Sequence, residues 1–586
     1  MNCEIAQSDL SDRLMRPDTP NLEQRAEMAI RGLTAMTDPD YGHLPYFRAN
    51  FSWDPPVLWH SIYDYGDASG RWLDALTLAR QMTGSDYYHH VDEAIISSIT
   101  SWLQRYGLLC YPDAPWLKNV LINNEPYRPG EIVFHANSHT LQGLVSRYVA
   151  KHDDHVKQLT DRMINRILDA VVKKDDYCYI PASRYVPGEG WEDQTEPPPT
   201  GWPLPQMLAG ARYVRWLVRY FEETDHEEAR LLAEKLVNWV LKYWDKWFGE
   251  DGSYRGNTIS GLHVATGFVR FGQLMNRPDL VERSKKIFDF LVSQGSSYGF
   301  FPEFISSFVG EGGEPCVISD MIDMAINLAK AGWEQYWNNA ERYTRNHLFE
   351  SQLLDIEPIK RMTWPDKRPA PSNLEEGYTS DNVLDRVLGG HFAGWSAPND
   401  FFGPASVHAM FTMQGCCNGH GTRALYMAWQ HVVTKTEEGI FVNLLFSRDT
   451  QWVEVNSYLP YEGRLELRVH DAPILHVRMP DWVTRSRVIV DVNDQNVRYD
   501  WKDAYVRITN LRPHDIVLVR FPVRSKIEIE EIKGSYYVVE WKGDTVISVS
   551  PLGTLFPLYQ RDDFKVNITP KRTDITYHVP HTESSW

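Results

Sequence analysis

The sequence predicts a mainly α-helical fold, an (α/α)6 toroid followed by a C-terminal β-sandwich. Before residue 435, apolar residues recur at helical spacing in twelve stretches, many of them in close pairs. After it, the pattern changes to alternation over short runs with turns between them. The loops between the helical stretches are long and carry Pro, Gly, Trp, Tyr and charge, and long ordered loops in a compact domain are usually functional. At 586 residues the chain exceeds one ordinary domain. The expected division is a polar arm at 1–20, a helical domain at 21–434 and a β domain at 435–586.

Helices are expected near 24–36, 68–84, 90–106, 137–152, 155–173, 204–222, 226–248, 260–275, 278–295, 317–331, 334–353 and 419–431. In 90–106 the residues Val91, Ala94, Ile95, Ile99, Trp102 and Leu103 keep helical spacing, and Gly107 ends the run. In 317–331 the apolar set is Val317, Ile318, Met321, Ile322, Ala325, Ile326 and Leu328, closed by Gly332. Twelve helices in pairs make six hairpins, which close into a ring. A solenoid of helix pairs is the alternative, but no fixed-length repeat supports it. Strands are expected at 441–445, 451–455, 465–469, 488–492, 505–508, 516–519 and 537–540, a spacing that fits a sandwich or jelly roll.

Composition narrows the function. Charged residues are 24% and hydrophobic ones 43%, ordinary for a soluble globular protein. A net charge of −18 argues against binding a phosphate backbone. No run of about 18 apolar residues occurs, so no membrane span is expected. The opening residues Met1 to Asp9 have neither a basic region nor an apolar run, so no signal peptide is read and a cytoplasmic protein is expected. The 21 Trp and 30 Tyr offer flat faces that suit sugar rings, although large aromatics also fill cores. A homodimer is compatible with this composition.

Six cysteines, Cys3, Cys110, Cys178, Cys316, Cys416 and Cys417, are too few for a disulfide framework. They fit a reducing compartment, where clustered thiols more often mean metal or catalysis. Cys416 and Cys417 are adjacent in the glycine-punctuated stretch Gln414-Gly415-Cys416-Cys417-Asn418-Gly419-His420-Gly421, read as a tight turn. Cys316 lies in the similar stretch Gly312-Gly313-Glu314-Pro315-Cys316. Each is followed by a helix, whose N-terminus favours a thiolate. Thiolates with a carboxylate make a zinc set, giving Glu314, Cys316, Cys416 and Cys417 as the working site. The competing reading is that free cysteines are buried small hydrophobes. The loop around Trp191, in Gly188-Glu189-Gly190-Trp191-Glu192-Asp193, is a candidate pocket wall, as is Tyr65. Asp64 and Asp67, at a helix start, are read as N-terminal caps.

The combination Gly313-Glu314-Pro315-Cys316, then Ser319-Asp320-Met321-Ile322, then Gly415-Cys416-Cys417-Asn418-Gly419-His420-Gly421-Thr422-Arg423-Ala424-Leu425-Tyr426, resembles glycoside hydrolase family 127, whose members include β-L-arabinofuranosidases. Arg478-Met479-Pro480-Asp481-Trp482 also resembles a family signature. The resemblance covers roughly residues 60 to 520. It implies a helical toroid followed by β-sandwich material, zinc held by Glu314, Cys316, Cys416 and Cys417, and Cys416 as nucleophile. It implies an acid/base glutamate at Glu303, in Gly299-Phe300-Phe301-Pro302-Glu303-Phe304, with Glu311 as second candidate. His139 and His263 match family pocket positions. A third pocket histidine is replaced by Trp202, in Gly201-Trp202-Pro203. Such a wall bears on the substrate more than on the reaction. For a lone histidine the competing role is capping or core packing, and this holds more strongly for His135 and His420.

The implied activity is retaining hydrolysis of a terminal sugar, β-L-arabinofuranose, from an oligosaccharide, with a thiolate in place of the usual carboxylate nucleophile. Two other readings compete. One is a toroid enzyme of the uronyl hydrolase or sugar epimerase type working without metal. The other is a non-catalytic sugar-binding relative in which zinc only stitches two loops together, since three thiolates and a carboxylate make a closed, structural type of site.

Overall fold

The computed structural model describes residues 15–117, 121–122, 125–126, 130–196, 209–305, 312–362, 368–370, 377–392, 396–403, 412–566, 572–574 and 577–580. Among the described residues there are twelve principal helices: α1 (Leu22–Ala35), α2 (Asp67–Thr83), α3 (His90–Leu103), α4 (Phe134–Lys151), α5 (Asp154–Ala170), α6 (Ala209–Thr224), α7 (Glu227–Lys242), α8 (Thr258–Leu274), α9 (Pro278–Val292), α10 (Pro315–Lys330), α11 (Tyr336–Tyr343, continued by a π turn over Thr344–Leu348) and α12 (Gly415–Gln430). The even-numbered helices form a closed inner ring: α2 packs on α4, α4 on α6, α6 on α8, α8 on α10, α10 on α12, and α12 back on α2. The odd-numbered helices lie outside, each against an inner one. This is the (α/α)6 toroid.

The two rings differ in sequence for a physical reason. Outer helices bury one stripe only. In α5 the residues Val156, Leu159, Met163, Ile164 and Ile167 face inward while Arg162, Arg166 and Asp169 face water. Each fully buried aliphatic side chain of such a stripe stabilises by about 2 kcal/mol. Inner helices are buried all round, and every residue of α12 is buried. They also approach closely: a Cβ on Gly143 of α4 would collide with the backbone carbonyl of Gly70 on α2.

Side-chain pairs between inner helices join equivalent turns. Asp67 meets His135, Arg71 meets His139 and Asp74 meets Ser146. Arg215 meets Asp320, and Arg423 meets Asp74. The inner helices therefore run parallel, and their N-termini open on one mouth of the ring. Backbone N–H groups that lack helical partners gather there, with the positive ends of the helix dipoles. No helix among the described residues is long and apolar enough to cross a membrane.

Three residues after Gln430 the chain enters its β region. The strands are β1 (Val433–Thr436), β2 (Gly439–Val442), β3 (Arg448–Asp449), β4 (Val453–Ser457), β5 (Arg464–Val469), β6 (Ile474–Arg478), β7 (Ile489–Val492), β8 (Gln495–Asn496), β9 (Asp500–Lys502), β10 (Tyr505–Thr509), β11 (Ile516–Arg520), β12 (Ser525–Ile532), β13 (Ser535–Lys542) and β14 (Thr545–Ser550). One sheet has the order β1-β2-β6-β10-β9 and a second β3-β4-β5-β11-β7-β8. Their alternate residues, among them Val442, Leu465, Leu467, Val477, Val506, Val517 and Val519, form one core. A third sheet, β12-β13-β14, follows. The polar arm expected at the start ends, where it is described, in a strand: Met15–Pro17 pairs with Arg572–Asp574.

The Arg478 motif has a structural role here. Arg478, at the end of β6, is ion-paired with Glu341 of α11 and donates to Asn338 Oδ1 at 2.6 Å. Glu341 also accepts from Arg345 at 2.8 Å and from the backbone N–H of Leu445 at 3.1 Å. Glu341 is fully buried, and so are both arginines to within 2%. The carboxylate thus ties the sandwich to the toroid. Glu341→Ala strands two buried guanidinium groups, a loss of about 3–5 kcal/mol. The expected result is a clearly lower urea midpoint, checked by circular dichroism; an unchanged midpoint would contradict this role.

Candidate active site

Cys316 is the second residue of α10, directly behind Pro315, and Cys416 and Cys417 are the second and third residues of α12. The helices begin at Pro315 and Gly415, earlier than the expected 317 and 419. The cysteines therefore sit in first helical turns, not in the tight turn that the glycines imply. The glycines serve packing instead. A Cβ on Gly415 would come within 2.9 Å of Ala68 Cβ, one on Gly419 within 2.8 Å of Arg71 Cβ, and one on Gly421 within 2.5 Å of the His391 ring. Because α10 and α12 are neighbours in the ring, the three sulfurs converge. They lie within 4.8 Å of one another, with Cys416 Sγ and Cys417 Sγ 3.9 Å apart.

The three thiols are unequal. Cys416 is 8% exposed, against 3% for Cys316 and 0% for Cys417, and is the least buried of the three residues. Hydrogen bonds from Cys316 and Cys417, reinforced by the charge of Arg71, hold the Cys416 thiol well below its usual range. Burial pushes Cys316 and Cys417 well above theirs. Of the three sulfurs, Cys416 is the one whose surroundings favour the thiolate. Glu314 is the residue immediately before α10 and is buried. Its carboxyl is pushed well up by burial and by the charges of Glu303 and Cys416. It borders the trio without joining the donor atoms that lie within 4.8 Å of one another.

Glu303 is held by its backbone. Its N–H donates to Gly312 O at 2.9 Å, and its carbonyl accepts from Thr258 N at 2.8 Å, at the start of α8. Phe304–Ile305 pairs with Gly256–Asn257 just beyond. Its carboxyl oxygen Oε2 is buried and has no hydrogen-bond partner among the described residues. Burial, with the Cys416 charge second, pushes this carboxyl up to about 7.

Around the trio runs a chain of charged and polar groups. Arg71 is ion-paired with Asp67 and donates to His139 Nε2 at 2.8 Å. An arginine only donates, so His139 Nε2 carries the lone pair and its Nδ1–H donates to Gln142 Oε1 at 3.2 Å. Arg212 likewise donates to His135 Nδ1 at 2.9 Å, leaving His135 Nε2–H to donate to Asp67 at 2.6 Å. Both histidines are neutral, their pKa values lowered by burial and then by the neighbouring arginines. Asp67, His135 and His139 also offer ligand atoms within 4.8 Å of one another, but Arg71 already occupies that space electrostatically.

His263, on α8, is buried, and neither ring nitrogen has a hydrogen-bond partner among the described residues. Its Nε2 lies 3.8 Å from Asp320 Oδ2, and Asp320 is held by Arg215 at 2.7 Å. His420 is similarly buried and unbonded, with its ring 6.2 Å from that of His139. Trp191 is stacked on Phe134 at 5.0 Å and donates to Ala170 O at 2.6 Å, one residue from His135 through Phe134. Trp202 and Glu311 lie outside the described residues.

Sequence reasoning missed the arginines. It also misread Asp67, which is an ion-pair hub for Arg71 and His135 and not a cap. Asp64 does close a local turn, accepting from Ser61 N at 2.7 Å. The missed signal was present: Asp67, Arg71 and Asp74 stand at i, i+4 and i+7, a charged stripe along one side of the helix.

No family model matches the chain, and no curated protein matches it in sequence. Among solved structures it is similar to a GH127 β-L-arabinofuranosidase from Geobacillus stearothermophilus T6, at 13% identity and a TM-score of 0.55, over 90% of this chain and 80% of that one. It is similar to another GH127 β-arabinofuranosidase at 14% identity and a TM-score of 0.56, over 89% and 78% of the two chains. A structure described as a glycoside hydrolase aligns at 12% identity and a TM-score of 0.53, over 87% and 84%. The likeness is one of fold, and it spans toroid and sandwich together.

Proposed function

We propose that this chain is a retaining glycoside hydrolase in which Cys416 is the nucleophile and Glu303 the acid/base, releasing a terminal sugar, β-L-arabinofuranose, from an oligosaccharide. One observation carries the reading: a thiol pushed down and a carboxyl pushed up stand in one buried site, close enough to perturb each other. Groups whose environments drive their pKa values apart are how a protein provides an anionic nucleophile and a neutral acid at the same pH. The likeness in fold to a β-L-arabinofuranosidase and a β-arabinofuranosidase supports the choice of sugar.

In the first step the Cys416 thiolate attacks the anomeric carbon, the bond to the leaving oxygen breaks, and Glu303 gives that oxygen its proton. In the second, Glu303 takes a proton from water, the resulting hydroxide attacks the same carbon, and the carbon–sulfur bond breaks to restore the thiolate. Helix N-termini at the mouth stabilise the thiolate in both steps. His263, with two unengaged ring nitrogens, is better suited to sugar hydroxyls than His139, whose nitrogens are both committed to Arg71 and Gln142. His139 instead orients Arg71 beside the thiols.

The donor set also fits zinc. Sulfurs about 2.3 Å from a tetrahedral zinc stand about 3.8 Å apart, and Cys416 and Cys417 are 3.9 Å apart. Cys316, Cys416 and Cys417 would hold the ion, with Glu314 as the carboxylate beside them. When bound, zinc keeps thiols deprotonated at neutral pH. A purely structural staple would leave without a use the Glu303 carboxyl, raised in pKa and with one buried oxygen that has no hydrogen-bond partner among the described residues.

The test is release of the aryl group from an aryl β-L-arabinofuranoside. Turnover is expected, and its absence across a panel of aryl glycosides would overturn the reading. The pH profile adds a second check. On a substrate with a sugar leaving group the first step needs Glu303 protonated, so kcat/KM should be present below the carboxyl's pKa and fall as pH rises through about 7. The limb should disappear in Glu303→Gln. A rate that climbs through this range would contradict the assignment.

A further inference from the structure

The helices that carry the cysteines at their N-termini line a second cavity with their C-termini. It has a volume of about 810 Å³ and lies where the toroid meets the first β-sheet. Ala329 and Lys330 close α10, and Gln430 and His431 end α12. Cys316 to Lys330 and Cys416 to Gln430 are each 14 residues along a helix, about 21 Å at 1.5 Å per residue. The cavity is therefore at the opposite end of the ring from the thiols, too far to be a neighbouring subsite for a short substrate.

Its walls have a definite chemistry. Phe441 from β2 and Trp452 between β3 and β4 supply partly exposed aromatic surface, backed by the buried rings of Trp337 from α11 and Tyr505 from β10. These rings are fixed in advance. Tyr505 donates to Asn443 Oδ1 at 2.8 Å, and Phe441 is stacked on His476 at 4.1 Å. Trp452 remains partly exposed, with Lys435 Nζ 5.9 Å from its ring centre. His431 donates from Nδ1 to Met427 O at 2.8 Å, so its Nε2 is an acceptor. The charges balance: Lys330, Lys435 and Lys502 face Glu334, Glu437 and Glu438, and Lys502 is paired with Glu438. A phosphate or carboxylate ligand would meet as many carboxylates as ammonium groups. A purely apolar ligand would leave the polar rim unmatched. A neutral ligand with an apolar face and many hydroxyls meets both conditions, and the volume is that of a small-molecule site.

We infer that this cleft is a second saccharide-binding site, which takes a neutral oligosaccharide against Trp452 and Phe441 at the junction of toroid and sandwich. The choice of sugar as ligand rests on the glycosidase reading; the cleft's separation from the thiols does not. Such a site holds a second stretch of a long chain, or a second molecule, without taking part in hydrolysis.

The test uses the full chain with two probes, β-L-arabinofuranobiose and xylotetraose. Binding is followed by calorimetry in Cys416→Ser, to prevent turnover, and by hydrogen exchange over residues 433–441 and 452. One of the probes is expected to slow exchange there. Trp452→Ala, added to Cys416→Ser, should weaken that binding about tenfold. Trp452→Ala alone should leave aryl glycoside hydrolysis unchanged, which also shows that the variant is folded. Absence of protection by both probes, or affinity unchanged in the Trp452→Ala background, overturns the inference. Failure of the glycosidase reading has a different signature: protection and the Trp452 effect persist while no aryl glycoside is hydrolysed.

Discussion

Replacing Cys416 by serine is expected to lower kcat on an aryl β-L-arabinofuranoside by about 10⁴-fold or more, the scale of loss when a covalent nucleophile is removed. The reason lies in the neighbours. Hydrogen bonds from Cys316 and Cys417, and then the positive charge of Arg71, favour ionisation of the Cys416 thiol over the other two. A serine hydroxyl in that place ionises far less readily. The fold should survive, because the substitution exchanges sulfur for the smaller oxygen at the least buried of the three positions. Unchanged thermal unfolding with lost turnover is the expected pair of results, checked by calorimetry and by the aryl glycoside assay. Equal turnover in both proteins would take Cys416 out of the chemistry.

Glu303→Gln is expected to cost about 10²–10⁴-fold on a sugar leaving group, the usual worth of general acid–base catalysis. The loss should shrink for glycosylation when the leaving group is nitrophenolate, which departs without a proton. The second step still needs a base to activate water, so this variant should stall as a glycosyl-enzyme. Glu303 meets the geometric requirement of the role: the backbone is clamped by Gly312 and Thr258, while one carboxyl oxygen is buried without a partner. If the activity of Glu303→Gln were the same for both leaving groups, Glu303 would be removed as the acid.

Much of the toroid was legible because inner and outer helices both carry a 3.6-residue period, and the period says nothing against a ring. What it did not reveal is which helices are inner. That information lies in residues that look out of place, such as Gly70, Gly143, Gly415 and Gly419, which permit backbone contact, and Asp67, Arg71, Asp74, Arg215 and Asp320, which pair across the ring. Taken singly, a glycine reads as a turn and an aspartate before a helix as a cap. Here both are tertiary devices, and tertiary context overrides local preference. The thiol trio was legible because cysteine chemistry has few alternatives once the residues are clustered. The Arg71–His139–Gln142 chain was not, since Arg71 belongs to one helix and His139 and Gln142 to another, and only parallel packing brings them into register. The Arg478 stretch was noticed as a pattern; its reason, the buried carboxylate of Glu341, is 137 positions away in the chain.

The central claim is a covalent bond between a sugar and one cysteine. The most direct measurement is mass spectrometry of Glu303→Gln after mixing with a nitrophenyl β-L-arabinofuranoside, followed by peptide mapping. The account predicts one added pentosyl unit, carried by the peptide containing Cys416, and none in the Cys416→Ser, Glu303→Gln double variant. A pentosyl unit on a carboxylate, or nitrophenol release with no adduct and inversion at the anomeric carbon, would contradict it.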